Sequence, residues 1–153
     1  SKSNLIELSC ILAFRCSSYE MLPNTGISVS FEDGGSQWAQ ACATGFMLEE
    51  GAEYVLSFDY KCNNELPVSL AVQKNYAPWT PYYSQKIIMN NELQHFEGTF
   101  TSTENDSNCA LALMFSESSK GTVVTIENMS LVKKSATKPL IGVVPASVSC
   151  TEK

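Results

Sequence analysis

The segment Glu53–Cys62 reads Glu-Tyr-Val-Leu-Ser-Phe-Asp-Tyr-Lys-Cys, and large apolar side chains alternate along it with small or charged ones. Successive side chains of an extended strand point to opposite faces. Tyr54, Leu56, Phe58 and Tyr60 therefore share one face, and Val55, Ser57, Asp59 and Lys61 the other. Val68, Leu70 and Val72 continue the inward rhythm, which turns Ser69, Ala71 and Gln73 outward. Phe96 and Phe100 flank Gly98 in step and turn His95 and Glu97 outward. Helical periodicity is almost absent, and β-branched and aromatic segments recur between clusters of Gly, Asn, Asp and Pro. The pattern predicts strands at Asn4–Leu8, Ile27–Phe31, Gln37–Cys42, Glu53–Cys62, Pro67–Lys74, Tyr82–Met89, Leu93–Ser102, Cys109–Phe115 and Thr122–Lys133. Turn-forming groups such as Glu32-Asp33-Gly34-Gly35, Asn63-Asn64 and Asn105-Asp106-Ser107-Asn108 separate them. The chain is 153 residues long, one domain's length, so the fold class expected is all-β, a two-sheet antiparallel β-sandwich. Residues 1–134 make up this module. Residues 135–153, small and punctuated by Pro139 and Pro145, read as a linker or C-terminal extension rather than an edge strand.

Composition narrows the partners. Twenty Ser, 10 Thr, 10 Asn and 5 Gln outnumber the 26 charged residues, a profile of extracellular β-proteins. The net charge of −6 leaves no positive field to displace counterions from a phosphate backbone, so nucleic acid is excluded as a partner. No apolar run reaches the ~18–20 residues that cross a bilayer, so no membrane partner is expected. The start Ser1-Lys2-Ser3-Asn4 lacks a signal peptide's apolar stretch, and any export signal is expected to have been removed or to lie elsewhere.

Six cysteines, Cys10, Cys16, Cys42, Cys62, Cys109 and Cys150, show none of the close spacings of a zinc or redox knuckle. An even count in a secreted chain admits a disulfide framework, and free buried thiols remain the equal alternative. Cys10 and Cys16 are placed to staple the ends of one loop.

The segment Asn75-Tyr76-Ala77-Pro78-Trp79-Thr80-Pro81-Tyr82-Tyr83-Ser84-Gln85 crowds four aromatics between two strands. Rings so concentrated at a surface imply something for them to meet. A sugar ring fits: its C–H faces stack on Trp and Tyr, and its hydroxyls take amide and carboxylate partners. The candidate contacts are Trp38, Gln40, Gln73, Tyr76, Trp79, Tyr82, Tyr83 and Gln85, with Trp38 and Gln40 as a ring-and-amide pair on one strand face. Asp59 and the lone imidazole, His95, join them as outward polar groups. For Trp38, Tyr82 and Tyr83 a core role is the competing reading.

Catalysis finds no support. Glycosidic hydrolysis needs two carboxylates at a set separation, and no pair is marked out; G-x-S-x-G, P-loop and H-E-x-x-H motifs are absent. A binding role without bond chemistry is the better expectation.

Trp38-Ala39-Gln40, followed by Leu48-Glu49-Glu50-Gly51-Ala52-Glu53-Tyr54-Val55-Leu56-Ser57-Phe58, resembles a signature of jelly-roll carbohydrate-binding modules, in the superfamily containing families 4, 9 and 22. Gln94-His95-Phe96 with Phe100-Thr101, and Ile126-Glu127-Asn128-Met129-Ser130-Leu131, look like two further strands of that pattern, although Leu93 stands where a Trp is usual. The resemblance spans roughly Asn4 to Lys134. It implies a jelly roll, non-catalytic, carried by a secreted enzyme that degrades plant cell-wall polysaccharides. It further implies a β-1,4-linked glycan ligand in a cleft on one sheet: β-glucan or xyloglucan first, xylan next. A monomer covalently joined to a glycoside hydrolase domain is the expected state. Relatives also hold one structural calcium ion, for which Glu127 stands in the ligand position; the early Gly-Phe-Glu of the pattern is replaced here by Leu12-Ala13-Phe14-Arg15. The rival reading is a structural or adhesive sandwich that uses the aromatic segment as a protein-protein hot spot in a cell-surface or multi-enzyme assembly.

Overall fold

The computed structural model describes residues 3–116 and 118–134. The extension at 135–153 and Cys150 lie outside the described residues. Among the described residues a 3-10 turn, Leu8–Cys10, precedes ten strands: β1 (Ile11–Phe14), β2 (Ser18–Leu22), β3 (Gly26–Phe31), β4 (Gln40–Leu48), β5 (Glu53–Cys62), β6 (Leu66–Lys74), β7 (Pro81–Met89), β8 (Gln94–Thr101), β9 (Asp106–Met114) and β10 (Thr122–Lys133). They pair antiparallel into two five-stranded sheets, β1-β4-β9-β6-β7 and β2-β3-β10-β5-β8. The expected two-sheet sandwich is the fold.

Alternation holds along the long strands. Tyr54, Leu56, Phe58, Tyr60, Val68, Leu70 and Val72 are buried between the sheets, and Phe58 stacks on Phe96 at 5.2 Å while Tyr54 stacks on Phe100 at 5.6 Å. Bulges occur where the rhythm skips. In β4 the register shifts between Thr44 and Phe46, and Gly45 takes a φ of 87° that few other residues tolerate; the shift returns Phe46 to the core after Ala43. In β10 Asn128, at φ 55°, performs the same service between Ile126 and Met129.

Three expectations are corrected. Asn4–Leu8 is not a strand: the Asn4 amide side chain brackets β10 by donating to the Met129 carbonyl (2.9 Å) and accepting from the Leu131 amide (2.9 Å). Strands β1 and β2 were unmarked by turn residues and emerge from a run that offers little alternation. The strand expected at Gln37–Cys42 begins only at Gln40 and runs on to Leu48, because Ser36–Ala39 closes a turn through the Ala39 amide and the Ser36 carbonyl (3.1 Å). Among the cysteines, Cys10, Cys16, Cys42, Cys62 and Cys109 are free thiols, so the loop staple between Cys10 and Cys16 is not formed.

Tyr83 bridges the open edges of the two sheets. Its ring stacks on Phe100 at 5.2 Å, and its hydroxyl lies where a Cβ on Gly98 would be. Gly98→Ala therefore forces overpacking at this edge and lowers stability by about 1–3 kcal/mol, with a smaller loss in a Tyr83→Phe background. Urea unfolding of the single and double variants measures the difference; equal losses in both backgrounds would refute the contact.

Candidate binding cleft

The residues of the first sheet that turn away from the core build a cleft of about 530 Å³. Its floor comes from β4 and β9, where pairing sets Cys42 opposite Ala112 and Thr44 opposite Ala110. These small side chains leave a trough, while the inward residues of the same strand, Leu111 and Leu113, fill the core. Phe14, Trp38 and Met114 rise along one side, and Gln73, Asn75 and Trp79 along the other. Every side chain lining the cleft is uncharged.

Both tryptophans stand on the rim in the left-handed region, Trp38 at φ 71° and Trp79 at φ 63°. That conformation costs a non-glycine residue about 1–2 kcal/mol. Strain at an exposed ring points to a functional role. Trp38 is 54% exposed and Trp79 52%, so burial does not account for either. The Trp38 turn is fixed from below. Gln40 donates through Nε2 to the Trp38 carbonyl (3.1 Å), and its Oε1 accepts from the Cys42 thiol (2.9 Å). Burial pushes the Cys42 thiol up to about 12, which keeps the donor proton in place.

The Trp79 loop is anchored by a cluster at the end of the sandwich. The Trp79 amide donates to the Tyr76 carbonyl (2.8 Å), and Asn75 pairs with Asn108 through both backbone (3.0 Å) and side chain (3.1 Å). Asp106, with a side chain only 2% exposed, accepts from the hydroxyls of Tyr82 (2.6 Å) and Tyr76 (3.1 Å). Lys74 meets Glu104 (2.8 Å) and Asp106 (3.5 Å) and lies over both tyrosine rings. Burial opposes the Asp106 charge, yet hydrogen bonds from Tyr82, the Asn108 amide and Tyr76 outweigh it and hold the carboxyl below its usual range. Burial, reinforced by Asp106, pushes Tyr82 up to about 12.

The expected contacts thus divide. Trp38, Gln40, Gln73 and Trp79 converge on the cleft. Tyr76 and Tyr82 belong to the anchor beneath the loop, because a register shift after Val72 adds a residue to β7 and turns Tyr82 toward Asp106. Tyr83 packs at the sheet edge, and Gln85 lines a neighbouring depression over β6 and β7. Asp59 and His95 lie apart from the cleft. They pair across β5 and β8 on the outer face of the second sheet, opposite the cleft, with His95 Nδ1 2.7 Å from Asp59 and Asn128 donating to Asp59 at 2.9 Å. The cleft residues Phe14, Cys42, Thr44, Asn75 and Met114 were missed. Only the small-large alternation of Cys109–Met114 hinted at the trough.

At the implied calcium position, Glu127 accepts a hydrogen bond from the Asn24 amide (3.1 Å), and among the described residues no three His, Cys, Asp or Glu side chains gather there; an ion at this place would draw its remaining ligands from carbonyl oxygens and water.

A two-sheet sandwich with rings and amides over a neutral trough defines a sugar-binding module. A family model described as carbohydrate binding domain, of the module 4 and 9 type, matches residues 23–120, and the chain belongs to that family. It is a carbohydrate-binding module, a non-catalytic class. No curated protein sequence matches it. Among solved structures it is similar to a family 4 carbohydrate-binding module (23% identity, 80% of this chain and 78% of the other, TM-score 0.68). It is also similar to the N-terminal cellulose-binding domain of Cellulomonas fimi β-1,4-glucanase C (16%, 85% and 92%, TM-score 0.71) and to the second such domain of that enzyme (18%, 88% and 92%, TM-score 0.63).

Two pH responses follow. Asp106 stabilises the fold while ionised, since its folded value lies below its unfolded one; that contribution is present above the unfolded value near pH 4 and is lost as pH falls through the folded value. Asp106→Asn therefore flattens the acid limb of a melting-temperature profile; an unchanged limb refutes the assignment. Hydrogen bonds from His95 to Asp59 and then Glu97 raise the imidazole above its ordinary value near 6.5. NMR titration of Asp59→Asn should show the imidazole moving back down, with polysaccharide retention unaltered; weakened retention would return this face to the site.

Proposed function

We propose that this module binds a β-1,4-linked glycan chain lying in the cleft, with β-glucan or xyloglucan favoured and xylan next. The observation that carries the reading is the pair of strained, exposed tryptophans that line one uncharged trough. Sugar C–H faces stack on Trp38 and Trp79, and Gln40, Gln73 and Asn75 supply donors and acceptors for the hydroxyls. The Cys42 thiol and the Trp38 carbonyl already hold one side of the Gln40 amide, so its orientation is set before ligand arrives. The reading is in keeping with similar domains named as cellulose-binding and drawn from a β-1,4-glucanase. On the same footing the module is covalently joined to a secreted glycoside hydrolase that degrades plant cell walls, acts outside the cell as a monomer, and keeps that enzyme on its polymer.

Affinity electrophoresis in gels containing β-glucan, xyloglucan, xylan, mannan or cellulose derivatives tests the ligand. Trp38→Ala and Trp79→Ala each lower affinity for the retaining polymer about tenfold or more, ~1.4 kcal/mol per factor of ten, with melting temperature little changed. Undiminished retention of both variants would remove the cleft as the site.

A further inference from the structure

The cleft does not end at β9. Met114 also lines a second depression of about 460 Å³, together with Ser69, Ala71, Ser84, Gln85 and Lys86. Pairing makes the two depressions one path across the sheet: Phe14 lies opposite Gln40, Gln40 opposite Met114, Met114 opposite Ser69, and Ser69 opposite Lys86. All five residues point to the same face, because paired residues in a sheet share a face. Each strand crossing advances about 4.8 Å, close to one sugar unit of an extended β-1,4 chain. A chain seated in the trough runs beside this row, over Cys42, Ala112, Ala71 and Ser84, which pair in turn across β4, β9, β6 and β7, and so arrives at β7 beside Lys86.

Lys86 is the one charged residue among the cleft-face positions of β1, β4, β9, β6 and β7. Its side chain is exposed, and among the described residues no carboxylate lies within ion-pair reach of it. Lys74, Lys133 and Lys134 meet acidic partners, whereas Lys61, Lys86 and Lys120 meet none among the described residues; of these three, Lys86 alone stands on the cleft face of the first sheet. Here the neighbours are the hydroxyls of Ser69 and Ser84, both able to donate. In a chain of net charge −6, an unpaired ammonium at the end of a neutral groove stands out as an anion contact.

We propose that Lys86, with Ser69 and Ser84, recognises a carboxylate on a side branch of the glycan, so that the module prefers β-1,4 chains carrying uronic acid units over the same chains without them. This deepens the cleft reading and rests on it. The neutral trough holds the backbone of the polymer, and the ammonium at its β7 end selects the acidic decoration. An exposed pair of this kind is worth up to about fivefold in affinity and is screened by salt.

Glucuronoxylan, the same polymer with its carboxyl groups reduced to alcohols, and a neutral β-glucan serve as probes in affinity gels and calorimetric titration. The native module is expected to bind glucuronoxylan about two- to fivefold more tightly than the reduced polymer. Lys86→Gln, or about 1 M salt, erases that difference and leaves binding of the reduced polymer unchanged. Lys61→Gln, which makes the same change of net charge on the outer face of the second sheet, leaves the preference intact. Equal binding of the two xylans, binding of neither, or a preference that survives Lys86→Gln overturns the proposal. In each of those cases, retention by β-glucan that is lost in Trp79→Ala leaves the cleft reading standing, and its absence with every polymer ends both.

Discussion

The structure depends on the antiparallel register that binds β9 between β4 and β6. Across that pleat, β9 places Leu111 and Leu113 in the core and Ala110 and Ala112 on the opposite face. Burying two leucines stabilises the fold by roughly 1.5–3 kcal/mol each, while the two alanines leave the space in which a ligand can lie. A slip of one residue would exchange the two sets. It would fill the trough with leucine and open voids in the core, so stability and the cleft are enforced by one and the same pairing.

Departures from regular pairing occur where the sandwich needs a side chain re-aimed. Gly45 and Asn128 serve the core: each restores an inward residue after a skipped step. Trp38 and Trp79 take the same left-handed conformation while staying about half exposed at the surface. What holds them is polar and local. Gln40 and Cys42 fix one turn, and the Lys74, Asp106, Tyr76 and Tyr82 cluster fixes the other. The rings are therefore displayed on rigid supports, which lowers the ordering cost on binding.

Much of this was legible in the residues. Strict alternation in Glu53–Cys62 and Leu66–Lys74 located the core correctly, and the density of rings around Trp79 located one rim of the cleft. Alternation has only two values, however, and a sandwich has two outward faces. His95 and Gln73 both read as outward, yet one lies on the second sheet and the other in the cleft on the first. Which sheet a strand joins is decided by long-range pairing that no local pattern encodes. The same limit hid the roles of Tyr76 and Tyr82. Their partner Asp106 stands 30 and 24 residues further along the chain, at what the sequence presents as a turn. Phe14 was hidden because β1 is four residues long and apolar throughout.

The low charge of the chain acquires its sense from how the charges are distributed. Charged residues make up 17% of the sequence, and the outer face of the second sheet gathers Asp59, Lys61, His95, Glu97 and Glu127. The cleft face of the first sheet carries Lys86 alone. Hydration and solubility are supplied by one face, which frees the other to remain neutral and ring-rich without a large apolar patch, because amides and hydroxyls interrupt its rings. A desolvated charge in the trough would have to be paired or paid for when a neutral sugar displaced its water. Keeping ionised groups off the floor, and admitting one only at the solvent-open end of the row, is the arrangement that lets the cleft hold an uncharged backbone and still distinguish what is attached to it.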